Sequence, residues 1–137
     1  MPKTTKEDYL RAIYHFLEEE NKTEVKSVDI SDYLNLSKAT VSEMLKKLMK
    51  EGLIQSAHYG KIKLTKKGLV ESKDITKKHR IIEVFLSTTL NINPKLIHDE
   101  AHRLEHAFSN ESINSIAKLI NTDSCPHGKP IPKIKGE

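Results

Sequence analysis

The chain has a single cysteine, Cys125, so no disulfide can close within it, and a reducing compartment, the cytoplasm, is expected. No apolar run approaches the ~20 residues that a membrane span needs, which argues against a membrane partner. The opening residues Met1-Pro2-Lys3-Thr4-Thr5-Lys6 lack the apolar stretch of a signal peptide. There is no internal repeat, no glycine loop to cradle phosphate and no nucleophile elbow. No Ser-His-Asp or Cys-His arrangement has supporting context, so neither an enzyme nor a small-molecule substrate is expected. What the chain does have is charge: 31% of its 137 residues are charged and 36% hydrophobic. That length suits one ordinary domain or two small ones. A mean hydropathy of −0.54 describes a folded, soluble, mainly helical protein. The net charge of +4 permits nucleic acid as a partner without requiring it.

The distribution of charge and apolar residues says more. Thr5 can cap a first helix with acids Glu7 and Asp8 in its first turn, and Leu10, Ile13, Tyr14 and Leu17 follow at helical spacing. Asp8, so placed, is expected to face outward and pair with the helix dipole. Glu18-Glu19-Glu20-Asn21 reads as a solvated helix end. Ser27 is expected to cap a short helix carrying Val28, Ile30 and Leu34. After the tight connection Asn35-Leu36-Ser37, Ser37 caps a longer helix, Lys38 to Lys50, with Val41, Leu45 and Leu48 inward and Gly52 as its stop. Short helix, brief turn, longer helix is the helix-turn-helix pattern. Leu53–Ser56 and Lys61–Leu64 read as two short strands around His58-Tyr59-Gly60, a wing. Lys38, Lys46, Lys47, Lys50, Lys61, Lys63, Lys66 and Lys67 gather here, opposed within the span only by Glu43 and Glu51. A run of charge is usually only a solvated face, but this one coincides with the parts a winged helix presents to duplex DNA. Ser37, Lys38, Ala39, Thr40 and Ser42 begin the recognition helix. Ser37 and Thr40 suit phosphate or base edges and Ala39 a thymine methyl, while Lys46, Lys47, Lys61 and Lys63 suit phosphate.

A long helix then runs from Thr65 to about Thr89, with Ile81, Ile82, Phe85 and Leu86 as its apolar face and His79 and Glu83 at i, i+4. Asn93-Pro94 opens the next helix. Its stretch His98-Asp99-Glu100-Ala101-His102-Arg103-Leu104-Glu105-His106 holds three imidazoles and three carboxylates in nine residues. At about 100° per residue, His98, His102, Glu105 and His106 fall on one face, beside an apolar stripe of Ile97, Ala101, Leu104 and Phe108. Such i, i+3 and i, i+4 spacing lets two side chains of one helix reach one ion, and imidazole with carboxylate suits Zn, Mn, Fe, Co or Ni. The competing reading is a polar helix that is merely rich in histidine. Ser109 or Asn110 caps a last helix with Ile113, Ile116, Ala117 and Ile120 at helical spacing. These three helices carry more apolar surface than so small a bundle buries, and a homodimer is the economical expectation. The segment after Asn121, with Pro126, Pro130 and Pro132, reads as an extended strap.

The order of these features resembles the diphtheria-toxin-repressor family of metal-dependent transcriptional regulators, particularly its manganese-responsive branch. The resemblance covers nearly the whole chain. It rests on Glu7-Asp8-Tyr9-Leu10-Arg11-Ala12-Ile13-Tyr14, Lys78-His79-Arg80-Ile81-Ile82-Glu83-Val84-Phe85-Leu86, Glu100-Ala101-His102-Arg103-Leu104-Glu105-His106 and Cys125-Pro126-His127-Gly128. It implies a mainly α fold, an N-terminal winged helix-turn-helix followed by a helical metal-binding and dimerisation domain. The expected division is 1–72, 73–121 and a tail, 122–137. It implies a primary metal site of Asp8, His102, Glu105 and His106 and an ancillary one of His79, Glu83 and His98. Two positions depart from the pattern: His102 stands where relatives carry cysteine or glutamate, and Arg11 where one manganese-type regulator has a further carboxylate. Longer relatives also carry a C-terminal SH3-like domain, which this chain is expected to lack.

The implied function is repression of metal-uptake genes at a duplex operator, with Mn²⁺ as corepressor and Fe²⁺ and Zn²⁺ as alternatives. Two other readings compete. His102-Arg103-Leu104-Glu105-His106 also matches the H-x-x-E-H signature of a class of zinc peptidases, which would need a distant third ligand and a substrate cleft. A winged-helix regulator that does not sense metal is the other. His15, His58 and His127 read as incidental surface residues, and Cys125 as a loop packing residue.

Overall fold

The computed structural model describes residues 4–56, 60–120 and 130–132. The expectations for His58, Tyr59, Cys125 and His127, and for most of the tail, fall outside the described residues. The chain divides into two compact units, Thr4–Lys73 and the part from Asp74 on. No described helix is long and apolar enough to cross a membrane.

The N-terminal unit opens with α1 (Lys6–Tyr14), which continues into a π-helical turn over His15–Glu19. Leu10, Ile13 and Tyr14 are buried, as their spacing predicts, but Phe16 is buried and Leu17 only half so. The π turn is the reason. The Glu20 N–H reaches back five residues to the His15 carbonyl at 2.9 Å, and this wider turn rotates the apolar face. Helix α2 (Ser27–Leu34) starts one residue earlier than expected. Lys26 is its cap, with a backbone N–H that donates to Asp29 Oδ2 at 2.9 Å. Ile30 is fully buried, whereas Val28 is 40% exposed. Asn35 adopts left-handed backbone, φ 55°, and turns the chain into α3 (Lys38–Lys50).

Ser37 caps α3 by accepting the Thr40 N–H at 3.1 Å, and Val41, Leu45 and Leu48 are buried. The helix ends as Gly52 predicts. At φ 75° its N–H reaches the Met49 carbonyl, and the Leu53 N–H reaches that of Leu48, both at 3.0 Å. These are the paired bonds of a Schellman stop. Strands β1 (Ile54–Ser56) and β2 (Ile62–Leu64) pair antiparallel, Ile54 opposite Leu64 and Ser56 opposite Ile62. Val25, to which the sequence reading gave no part, joins them: the Ile62 N–H donates to its carbonyl at 2.7 Å and its side chain is fully buried.

One junction ties α3, the wing and α4 (Lys66–Thr88) together. The Thr65 hydroxyl donates to the Gly52 carbonyl at 2.6 Å and lies 3.2 Å from that of Leu53. The same oxygen accepts the Gly68 N–H at 3.0 Å and so caps α4. The helix passes so close to the strand that a Cβ on Gly68 would lie 1.9 Å from the Leu53 carbonyl oxygen.

The second unit holds the rest of α4, α5 (Pro94–Glu105) and α6 (Asn110–Ile120). Asn93 Oδ1 caps α5 by accepting the Lys95 N–H at 3.0 Å, and Ser109 Oγ caps α6 by accepting that of Ser112 at 3.1 Å. The core is small: Ile81, Ile82, Leu86, Ile97, Ala101 and Ile113. Val84 is buried where Phe85 was expected, and Phe85 is half-buried. Leu104, Phe108, Ile116, Ala117 and Ile120 only lean on this core. Leu90, Leu96 and Leu119 remain 51%, 53% and 63% exposed. The described part of the tail is fastened here. Arg80 Nη1 donates to the Pro130 carbonyl at 2.6 Å, and Ile131 packs on the core.

Gly68 gives a test of the junction. A glycine-to-alanine change within a helix ordinarily stabilises by about 0.4–1 kcal/mol where the backbone accepts it. At Gly68 the clash with Leu53 reverses the sign. Gly68→Ala is predicted to lower the unfolding free energy by about 2 kcal/mol or more, measured by urea denaturation. A variant more stable than the parent would refute the close approach.

Candidate metal centre and nucleic-acid interface

Helices α4 and α5 bring six of the singled-out side chains into two clusters within the C-terminal unit. His79 and Glu83, one turn apart on α4, meet His98 from α5, and one ligand atom from each lies within 4.8 Å of the others. His79 Nε2 is 3.4 Å from Glu83 Oε1, and the rings of His79 and His98 are 4.9 Å apart, edge to face. His102, Glu105 and His106 form the second cluster, again with ligand atoms within 4.8 Å of one another. His106 Nε2 is 3.7 Å from Glu105 Oε1, and the rings of His102 and His106 are 5.3 Å apart.

Two donors on opposite sides of one ion, at bonds of about 2.0–2.2 Å, stand about 4 Å apart, so both clusters are near the size an ion needs. Each offers two imidazoles and a carboxylate, a donor set suited to divalent first-row metals. The residues present therefore fit a metal. His79, Glu83, His102 and Glu105 are buried, while His98 and His106 are exposed, so each cluster has one histidine open to solvent as a route of entry. The expected separation of a ligand face from an apolar stripe on α5 is not what the structure shows. His102 and Glu105 are buried alongside Ile97 and Ala101, and the four ligand-type side chains of the helix divide between two clusters.

A hydrogen bond joins the clusters. His79 Nδ1 and Glu105 Oε2 are 2.8 Å apart, both side chains 5% exposed or less. The sequence carries no signal for this bond, because it spans α4 to α5 over 26 residues.

Asp8 belongs to the N-terminal unit. It is not outward-facing as expected but 6% exposed. Its Oδ2 accepts the Thr5 N–H at 2.7 Å and its Oδ1 an Arg11 N–H at 2.6 Å. Burial, and then the adjacent Asp8 charge, push the Tyr9 hydroxyl above its ordinary range. The i, i+3 spacing of Asp8 and Arg11 was the available sign of their pairing.

On the helix-turn-helix, Ser37, Lys38, Ala39, Thr40, Ser42, Lys46 and Lys47 are all exposed, as is Lys63 on the wing. Three of the expected contact residues are partly committed elsewhere. Ser37 Oγ donates to Thr40 Oγ1 at 2.7 Å while accepting the Thr40 N–H, so these hydroxyls first serve each other. Lys61 Nζ lies 2.8 Å from Glu24 Oε2, and this bond holds the Glu24 carboxyl below its usual range. His15 is not incidental: its two ring nitrogens lie 3.2 Å from Glu19 and 3.3 Å from Glu20, and the ring stacks on Tyr33. Those glutamates are accordingly more than a solvated helix end.

Comparison with known proteins agrees with this division of labour. Residues 1–62 match the family model of the iron dependent repressor N-terminal DNA binding domain. Residues 65–133 match that of the iron dependent repressor metal binding and dimerisation domain. An uncharacterized HTH-type transcriptional regulator of Methanocaldococcus jannaschii is 38% identical over 110 residues, 80% of this chain and 87% of that protein. The diphtheria toxin repressor of Corynebacterium diphtheriae is 34% identical over 131 residues, 95% of this chain but 57% of the repressor. The solved structure of the manganese regulator SloR superposes with a TM-score of 0.86 at 38% identity, covering 96% of this chain and 61% of SloR. The chain thus spans about three-fifths of the length of the last two.

Proposed function

This chain belongs to the iron-dependent repressor family, and on that premise we propose that it is a DNA-binding transcriptional repressor, not an enzyme, activated by a divalent cation. It acts as a homodimer on operator DNA and controls metal-ion uptake genes. The observation that carries the reading is the pair of His-Glu-His clusters, each within 4.8 Å, in a chain whose other unit exposes a basic helix-turn-helix. Residues 1–72 are proposed as the DNA-binding domain and 73–121 as the metal-binding and dimerisation domain. The exposed Leu90, Leu96 and Leu119 support a surface that a second copy covers.

His102, Glu105 and His106, with Asp8 carried over from the family resemblance, are the proposed primary ligands, and His79, Glu83 and His98 the ancillary ones. A bound divalent ion supplies positive charge that neutralises buried carboxylates and bonds that fix their positions. With Asp8 on α1 and the other primary ligands on α5 and its C-cap, shared ligation restricts how the two recognition helices of a dimer are spaced. DNA requires about 34 Å between them. Ligands that favour one spacing shift the population toward it, and operator DNA tightens metal binding by the same factor.

Mn²⁺ is the proposed effector, with Fe²⁺ and then Zn²⁺ as alternatives. The proposed donors are oxygen and nitrogen without thiolate, and the relative SloR is a manganese regulator. Zn²⁺ binds such donors more tightly than Mn²⁺ in any case, so affinity alone does not identify the effector. The zinc-peptidase reading is disfavoured because Glu105, its general base, is buried and has one oxygen committed to His79 at 2.8 Å.

The proposal predicts that Mn²⁺, buffered at its free cytosolic level, retards operator DNA in a gel, and that His106→Ala abolishes the effect with the fold intact. Asp8→Ala should do the same but also removes a capping bond, at a stability cost of about 1 kcal/mol. Full metal response in both variants would remove the primary site. Activation by Fe²⁺ or Zn²⁺ but not Mn²⁺ would correct the metal and keep the function.

A second prediction concerns the lysines. Lys46→Ala should weaken binding to all sequences alike and lower the salt slope by about one. Lys61→Ala should change the slope less, because Glu24 already holds that ammonium. Altered sequence preference at an unchanged slope would contradict the phosphate role.

Arg11 provides a third. It occupies Asp8 Oδ1, so Arg11→Ala should lower the Mn²⁺ concentration for half-maximal DNA retardation by about tenfold or more, given about 1.5–3 kcal/mol for a charged hydrogen bond. An unchanged or higher midpoint would show that Arg11 does not compete for Asp8.

A further inference from the structure

We propose that Glu105 acts on both clusters: through Oε1 it is a ligand of its own, and through Oε2 it is the positioning residue of His79 in the other. The inference rests on the metal-binding reading above and deepens it.

The bond between His79 Nδ1 and Glu105 Oε2 is buried and 2.8 Å long. An ionised carboxylate only accepts hydrogen bonds, so the proton in this bond sits on Nδ1. A neutral imidazole with its proton on Nδ1 has its lone pair on Nε2. That nitrogen is the one directed at the rest of the cluster, 3.4 Å from Glu83 Oε1. Glu105 therefore selects the tautomer that can donate to a cation among His79, Glu83 and His98, and it fixes the plane of the ring. With a side chain only 3% exposed, Glu105 has little room to swing away. Its other oxygen stays with its own cluster, 3.7 Å from His106 Nε2. A carboxylate behind a ligating histidine raises the basicity of the metal-facing nitrogen, and losing it typically costs about 10–100-fold in metal affinity.

An asymmetry follows between two residues of the second cluster. Loss of His102 should impair only the second cluster. Loss of Glu105 should impair both, although Glu105 is not a ligand of the first.

The test is a calorimetric titration of the full chain with Mn²⁺. Wild type should take up one ion per cluster. His102→Ala should keep the first-cluster site at its wild-type affinity. Glu105→Leu, similar in volume and without a charge to bury, should weaken that remaining site by about 10–100-fold. Glu105→Gln should restore part of the loss, because its amide oxygen can still accept from Nδ1. Equal first-cluster affinities in His102→Ala and Glu105→Leu would overturn the proposal and leave the functional reading standing. A wild-type chain that binds no ion would overturn both. The ring nitrogen shifts of His79 in the zinc-loaded wild type give a decision that needs no variant to fold. A proton on Nδ1 and metal on Nε2 is the expected pattern, and the reverse assignment overturns the proposal.

Discussion

Burying carboxylates in a unit with so small a core is the constraint on which the C-terminal half depends. Glu83 and Glu105 are 3% and 4% exposed, as deep as the isoleucines beside them. A buried charge without a partner costs several kcal/mol, a large share of the 5–15 kcal/mol by which a domain is stable. His79 meets part of that demand by donating from Nδ1 to Glu105 at 2.8 Å, and it turns Nε2 toward Glu83 Oε1 at 3.4 Å, where a cation would compensate the second acid. The residues that hold the fold and those proposed to hold metal are the same side chains. Ions in these clusters would supplement a compensation that the imidazoles already begin, so metal binding and the stability of this unit are expected to be linked.

The N-terminal unit solves a different problem. Its helix-turn-helix must present a fixed face while three chain segments converge at one point. The Leu53 carbonyl is central: it accepts the Thr65 N–H at 3.1 Å, lies 3.2 Å from the Thr65 hydroxyl and abuts Gly68. The Schellman stop at Gly52 delivers the chain there, and α4 leaves from there. Val25 closes the far side of the wing through its bond with Ile62. The exposed residues from Ser37 to Lys47 are thus displayed on a helix whose two ends are both pinned by backbone bonds.

Much of this was legible in the sequence because it depends on local spacing. Caps such as Thr5, Ser37 and Asn93, the Gly52 stop and the i, i+3 and i, i+4 apolar repeats are written within one or two turns. The His79–Glu83 and His102–Glu105–His106 spacings are of the same kind. What was not legible depends on chain segments far apart. The π turn at His15–Glu19 leaves no mark in composition, so Leu17 was expected where Phe16 is buried. Glu24 looks like any loop glutamate until the wing brings Lys61 to it. Asp8 looked exposed because first-turn acids usually are. In the structure it is buried, with Thr5 and Arg11 on its two oxygens and Tyr9 fully buried beside it.

That burial changes what recruiting Asp8 as a ligand involves. A carboxylate has two oxygens, and here both are occupied, Oδ2 by the Thr5 N–H and Oδ1 by Arg11 at 2.6 Å. The Thr5 bond can persist, because a carboxylate oxygen has a second lone pair and the bond caps the helix. The Arg11 bond is different. A guanidinium and a divalent cation on one carboxylate repel each other, and the Arg11–Asp8 pair is mostly shielded from water, with side chains 15% and 7% exposed. A cation taken up by Asp8 must therefore overcome the pair, worth about 1.5–3 kcal/mol, or about ten- to a hundredfold in ion concentration. Arg11 would then compete with the ion for Oδ1 of Asp8. If Asp8 is a ligand, as proposed, Arg11 raises the ion concentration that Asp8 requires. The competitor is a single arginine three residues along the same helix, close enough to hold Asp8 Oδ1 whenever no ion does.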